Sequence, residues 1–159
     1  MPFDREIVEA RLALDLIRSN EMPKIAWDAL EAGLDGPAIR QLAALEKPTW
    51  FQVREVLPQA AKEMQLAKVP IGEGAYRIAR RRAQEILETG ADPTRYTHEL
   101  EYLCIRAGWP NELSGYGVLD DEVYIARENG RPETEIRDWL IQRLKELVAR
   151  SSGRRDSST

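Results

Sequence analysis

The feature that most constrains the fold is a ten-residue phrase used twice. Ala26-Trp27-Asp28-Ala29-Leu30-Glu31-Ala32-Gly33-Leu34-Asp35 returns 57 residues later as Ala83-Gln84-Glu85-Ile86-Leu87-Glu88-Thr89-Gly90-Ala91-Asp92, without a gap. The shared pattern is A-x-[DE]-x-L-E-x-G-x-D, and Pro37 and Pro93 follow. Glycine tolerates the left-handed backbone that ends a helix, and aspartate accepts from the free N–H groups that begin one. Each copy therefore reads as one helix stopped and another started, which predicts helical hairpins. Two origins fit the repeat: punctuation common to tight hairpins, or duplication of units 22–66 and 79–129. Neither specifies an activity.

Similar signals run along the whole chain. Asp4 suits a helix start, with Phe3 placed to staple onto Val8. Ile7, Ala10, Leu14 and Ile17 recur at helical spacing. Thr49-Trp50-Phe51-Gln52 is a capping box, in which hydroxyl and amide each satisfy a backbone N–H. Pro58 falls deep in the helix that follows and predicts a kink or break. Val69-Pro70-Ile71-Gly72-Glu73-Gly74 reads as a linker, since it holds two glycines, a proline and no period. Beyond it, Ile78, Ala79, Ala83, Ile86 and Leu87 mark a long helix. Residues 108–119 form the longest stretch without helical signals, before Asp120-Asp121-Glu122 opens a short helix and Pro132 the last one.

No strand-type alternation appears. The expectation is an all-α, multi-helix bundle of about eight helices built from helical hairpins. Its parts are an N-terminal lobe (1–68), a linker (69–74), a C-terminal lobe packed on the first (75–150) and a disordered tail (151–159).

Composition limits the function classes. The net charge is −4, with 23 basic and 27 acidic side chains, and neither half is a basic module. That lowers the expectation of nucleic-acid binding. One cysteine excludes an internal disulfide and a cysteine-rich zinc site. With no signal peptide and no membrane-length apolar run, a cytoplasmic protein is expected.

The segments IAWDALEAGLDGPAIRQLAAL (25–45), the capped helix at 49–66, ARRRAQEILETGADP (79–93) and LEYLCIRAGWPNEL (100–113) form an ordered series. In that series the chain resembles a group of small all-helical bacterial proteins sharing this helical-hairpin module. The resemblance implies the fold. It carries no activity and no catalytic residue. Pro58 and the Gly115-Tyr116-Gly117 turn depart from the pattern.

Little in the sequence suggests catalysis. His98 is the only histidine, and its six-residue distance from Cys104 places the two on different helix faces. His98 reads as a surface residue, Cys104 as a small core residue, and no metal or cofactor is expected. Candidate binding residues are the acidic Asp120, Asp121 and Glu122, the basic Arg77, Arg80 and Arg81, and the aromatic Trp109 and Tyr116. The acidic trio equally suits the positive end of a helix dipole, and the arginines a solvated face. Trp27 and Trp139 fall within helical patterns and are expected in the core.

The expectation is a non-enzymatic protein–protein interaction module, of the kind that small antitoxin-like immunity proteins represent. Its partner would be another protein, and its oligomeric state stays open. One alternative is a helix-turn-helix DNA-binding protein using residues 26–45, from the spacing of Ala29, Gly33 and Ile39. Phosphate contacts need cations, and there Asp28, Glu31 and Asp35 surround Arg40. A second alternative is an enzyme using the carboxylates at 120–122.

Overall fold

A computed structural model describes residues 2–150. Eight α-helices make up these residues, joined by turns and three short 3-10 segments, and no strand occurs among them. The helices are α1 (Arg5–Ala13), α2 (Met22–Glu31), α3 (Pro37–Ala43), α4 (Trp50–Glu63), α5 (Ile71–Thr89), α6 (Thr97–Arg106), α7 (Leu119–Glu128) and α8 (Glu133–Ala149). The all-α expectation holds. The tail at 151–159 lies outside the described residues. The chain divides into two compact units, with the boundary between Gly74 and Ala75, inside α5.

In the first unit the core gathers Val8, Ile17, Met22, Ile25, Ala29, Ile39, Leu42, Val53, Val56, Ala60 and Met64 from four helices and the segments that follow α1 and α4. Local capping sets where those helices begin. The Asp4 carboxylate accepts from the Ile7 N–H at 3.2 Å and starts α1. The Thr49–Gln52 box forms in both directions: the Thr49 N–H donates to Gln52 Oε1 at 2.9 Å, and the Gln52 N–H donates to Thr49 Oγ1 at 3.4 Å.

Three expectations are corrected in this unit. Asp35 does not cap α3, because its carboxylate is taken by the Gly36 N–H and the Arg40 guanidinium. The cap comes instead from Glu63 at the end of α4, which accepts from the Ile39 N–H at 2.9 Å. Gly36 makes room for it, since a β-carbon there would collide with the Glu63 carboxylate. Trp27 is 56% exposed. It lies about 200° around α2 from Ile25, opposite the buried side. Pro58 does not break α4, which runs as one α-helix from Trp50 to Glu63. Pro58 is solvent-exposed, so its ring costs the helix one hydrogen bond without disturbing the core.

The expected linker is also shorter than the sequence suggested, because Ile71–Gly74 form the first turn of α5. The Gly74 N–H donates to the Pro70 carbonyl at 2.9 Å. A β-carbon on Gly74 would sit 3.1 Å from the Ala10 carbonyl and 3.3 Å from Ala13 Cβ. Close approach to α1, rather than flexibility, accounts for this glycine.

In the second unit the buried side chains are Ala79, Ala83 and Ile86 on α5, Leu100, Leu103 and Cys104 on α6, Leu119 and Val123 on α7, and Ile136, Leu140, Leu144 and Leu147 on α8. Buried tyrosine hydroxyls find backbone partners. Tyr96 donates to the Ala79 carbonyl at 2.8 Å, and Tyr76 donates to the Arg150 carbonyl.

The repeated phrase proves to be partly shared grammar. Both glycines adopt positive φ, +87° at Gly33 and +68° at Gly90. Gly33 closes a full Schellman turn, with Gly33 N–H on the Leu30 carbonyl and Leu34 N–H on the Ala29 carbonyl, both at 3.0 Å. Gly90 N–H bonds the Ile86 carbonyl at 2.9 Å. The aspartates differ more. Asp92 caps the 3-10 turn Pro93–Arg95 by accepting from the Thr94 N–H at 3.0 Å, whereas Asp35 pairs with Arg40.

Candidate functional site

The candidate site lies in the second unit, on α6, α7 and the segment joining them. Helix α6 carries apolar residues around much of its circumference. Leu100, Leu103 and Cys104 are buried, while Tyr102 and Ile105, one turn apart, stand 51% and 57% exposed. Trp109, just beyond the helix, is 55% exposed. Val118, Tyr124 and Ile125 are exposed on α7 and at its start. Six large apolar side chains are thus exposed within 24 residues of chain, and an exposed apolar patch is a common mark of an interaction surface.

The turn after α6 holds Trp109 in place. Gly108 N–H donates to the Ile105 carbonyl at 3.1 Å, and Trp109 N–H to the Cys104 carbonyl at 2.7 Å. This is a Schellman turn. Both residues have positive φ, +70° and +56°, which is rare for a bulky side chain and costs about 1–3 kcal/mol. The indole then lies against Gly117. A β-carbon on Gly117 would fall 2.6 Å from Trp109 Cζ3 and 2.8 Å from Cys104 Cβ.

The joining segment is not the open loop its sequence suggested. It contains the 3-10 turn Asn111–Leu113 and buries Leu113, Tyr116 and Gly117. Two arginines fasten it. Arg143 stacks over the Tyr116 ring with 4.6 Å to the centroid and donates to the Gly115 carbonyl at 3.2 Å. Arg150 lies 5.7 Å from the same ring and donates to the Glu112 carbonyl at 3.1 Å.

The residues singled out from sequence therefore separate. Trp109 is on the exposed face. Tyr116 is 2% exposed and supports the turn from below. Burial pushes its phenol pKa up, against the opposing pull of Arg143 and Arg150. Asp120, Asp121 and Glu122 form the first turn of α7. Asp121 and Glu122 are solvent-exposed, while half-buried Asp120 accepts from the Thr97 hydroxyl at 2.6 Å. The arginines of the cluster are already engaged. Arg80 donates to the Val148 carbonyl at 3.3 Å, Arg82 bridges Glu85 and Glu99 at 3.2 Å each, and Arg77 and Arg81 also have partners.

Sequence reasoning missed Tyr102, Ile105 and Glu101, and gave His98 no partner. His98 is exposed as expected, but its Nδ1 lies 3.5 Å from Glu101 Oε2. Asp120 joins them, so that ligand atoms of the three side chains all lie within 4.8 Å of one another. The His-x-x-Glu spacing, one helical turn, is the signal that could have found the pair. Cys104 is buried, and burial pushes its thiol pKa up, which disfavours the reactive thiolate.

The first unit has an apolar cavity of about 560 Å³ lined by Leu12, Leu57, Pro58, Ala61, Leu66 and Val69, with Glu9 in its wall. The Glu9 carboxylate is committed to the Ala67 N–H at 2.8 Å.

No protein-family model, curated protein or solved structure matches this chain. Among the described residues, no helix is long and apolar enough to cross a membrane.

Proposed function

We propose that this protein is an interaction module that docks another protein through α6, α7 and Trp109. The observation that carries the reading is the exposed set Tyr102, Ile105 and Trp109, with Trp109 held by a strained turn and seated on Gly117. An aromatic side chain fixed before binding loses little entropy on docking, and tryptophan and tyrosine are the commonest interface anchors. Charge describes the partner. Residues 97–128 hold seven acidic side chains against two arginines, and one of those, Arg127, is paired with Glu133 at 2.7 Å. A partner with a basic rim around an apolar centre complements this face, in the manner of a small immunity protein and its target.

The same charge weighs against nucleic acid at this surface. The helix-turn-helix alternative at 26–45 also loses ground. Its reading helix is α3, seven residues long, and Arg40 is drawn into an ion pair with Asp35. The enzyme alternative has only Asp120 of its trio partly enclosed, with Asp121 and Glu122 in solvent.

Quantitative co-purification from the native host tests the proposal. Wild type is compared with Trp109→Ala, Ile105→Glu and, as a control on exposed α4, Phe51→Ala. A partner retained by wild type and Phe51→Ala but lost from both face variants supports the reading. Identical sets of proteins from all four chains contradict it.

A further inference from the structure

We propose that His98, Glu101 and Asp120 form a binding site for a divalent transition-metal ion, with Zn²⁺ as the best-matched occupant. Three observations converge. The donors are one imidazole and two carboxylates, a set that suits zinc and its neighbours rather than the all-oxygen preference of magnesium or calcium. The 3.5 Å between His98 Nδ1 and Glu101 Oε2 matches the edge of a tetrahedral zinc shell, about 3.3 Å for bonds of about 2.0–2.1 Å. All three ligand atoms lie within 4.8 Å of one another, so modest side-chain rotation closes the third edge.

The surroundings fit. Thr97 is 2% exposed, and its hydroxyl lies 2.6 Å from Asp120 Oδ1, the shorter of its two contacts, with the Thr94 carbonyl at 3.1 Å. A buried donor that fixes a ligating carboxylate is the usual second support of a metal ligand. Two elements supply the set, α6 through His98 and Glu101 and the first turn of α7 through Asp120, so an ion would tie them together. Arg127, whose charge is felt at Asp120, is already held by Glu133. Three protein donors leave coordination open to solvent or to another molecule. The site shares α6 and α7 with the proposed docking surface, but metal binding there requires no docked partner.

The test uses the full chain without a polyhistidine tag, stripped with chelator and titrated with Zn²⁺ by calorimetry. His98 is the only histidine, so the chain has a single set of imidazole NMR signals and each ligand change is read at one residue. The expected result is one Zn²⁺ per chain with a Kd below about 100 μM, imidazole signals that move stoichiometrically, and a rise in Tm with excess metal. His98→Ala and Asp120→Asn are each expected to weaken binding at least about tenfold. His98 is exposed, so its variant is expected to fold normally, and circular dichroism checks this. The proposal is overturned by any of four results. These are no saturable binding below about 1 mM Zn²⁺, equal competition by Mg²⁺, imidazole signals that stay in place, or unchanged binding in either variant.

Discussion

Trp109 and Gly117 show how much one contact decides in this protein. The indole occupies the space a β-carbon on Gly117 would need, and Cys104 closes the other side. Gly117→Ala is therefore expected to destabilise the chain by about 1–3 kcal/mol through overpacking, measured by urea unfolding. It is also expected to dislodge Trp109, read as a change in indole fluorescence. Asp92 gives a second residue-scale expectation. Burial opposes its ionisation, but the Thr94 hydroxyl and N–H, with Arg137 at 3.6 Å, outweigh that and hold its carboxyl pKa below the ordinary 3.8. A carboxylate lowered on folding adds stability above its unfolded value and loses it as pH falls through the folded one. Unfolding free energy should therefore drop as pH falls below about 4, and Asp92→Asn should flatten that part of the profile. A profile of unchanged steepness in the variant would contradict this assignment.

At the scale of elements, helix starts and stops were legible wherever the signal is local. Asp4, the Thr49–Gln52 box, Gly33, Gly90, Gly108 and Gly130 all act within a few residues of themselves. What was not legible depends on partners distant in sequence. Glu63 caps α3 from 24 positions away, so Asp35 looked like the cap. Tyr102 and Ile105 were hidden because α6 is apolar on several sides, and only packing decides which side is covered. Pro58 belongs here too. A proline inside α4 leaves the Arg54 carbonyl without its helical N–H donor. Pro58→Ala restores that donor at an exposed position and is expected to stabilise the first unit by up to about 3 kcal/mol, measured as a shift in the urea midpoint. A neutral or destabilising result would mean that Pro58 contributes packing along the Leu12–Leu57 cavity that outweighs the missing hydrogen bond.

For the whole molecule, composition and periodicity were enough to reach an all-helical chain, and the structure agrees. The candidate site was legible only in part. Trp109 stood out as an aromatic residue in a segment poor in helical signals, and Asp120 as part of an acidic helix start. Tyr116 drew notice for the same reason as Trp109, yet Arg143 on α8 and Arg150 just beyond its end cover it. Sequence places an aromatic residue in a segment but does not say which side of the segment the rest of the chain will cover. The doubled phrase sets the hairpins, and the segment that follows the second copy, from Thr97 to Glu128, carries six of the nine large apolar side chains exposed among the described residues, with an excess of acidic charge. On the proposed reading, a partner protein docks on this surface. The most direct measurement is photo-crosslinking in the native host, with a photoreactive residue at position 105 and, separately, at position 51 on exposed α4. Docking through α6 and α7 predicts one dominant crosslinked partner from position 105, attached through a basic surface, and none of it from position 51. No crosslink at 105, or the same products from both positions, would contradict it.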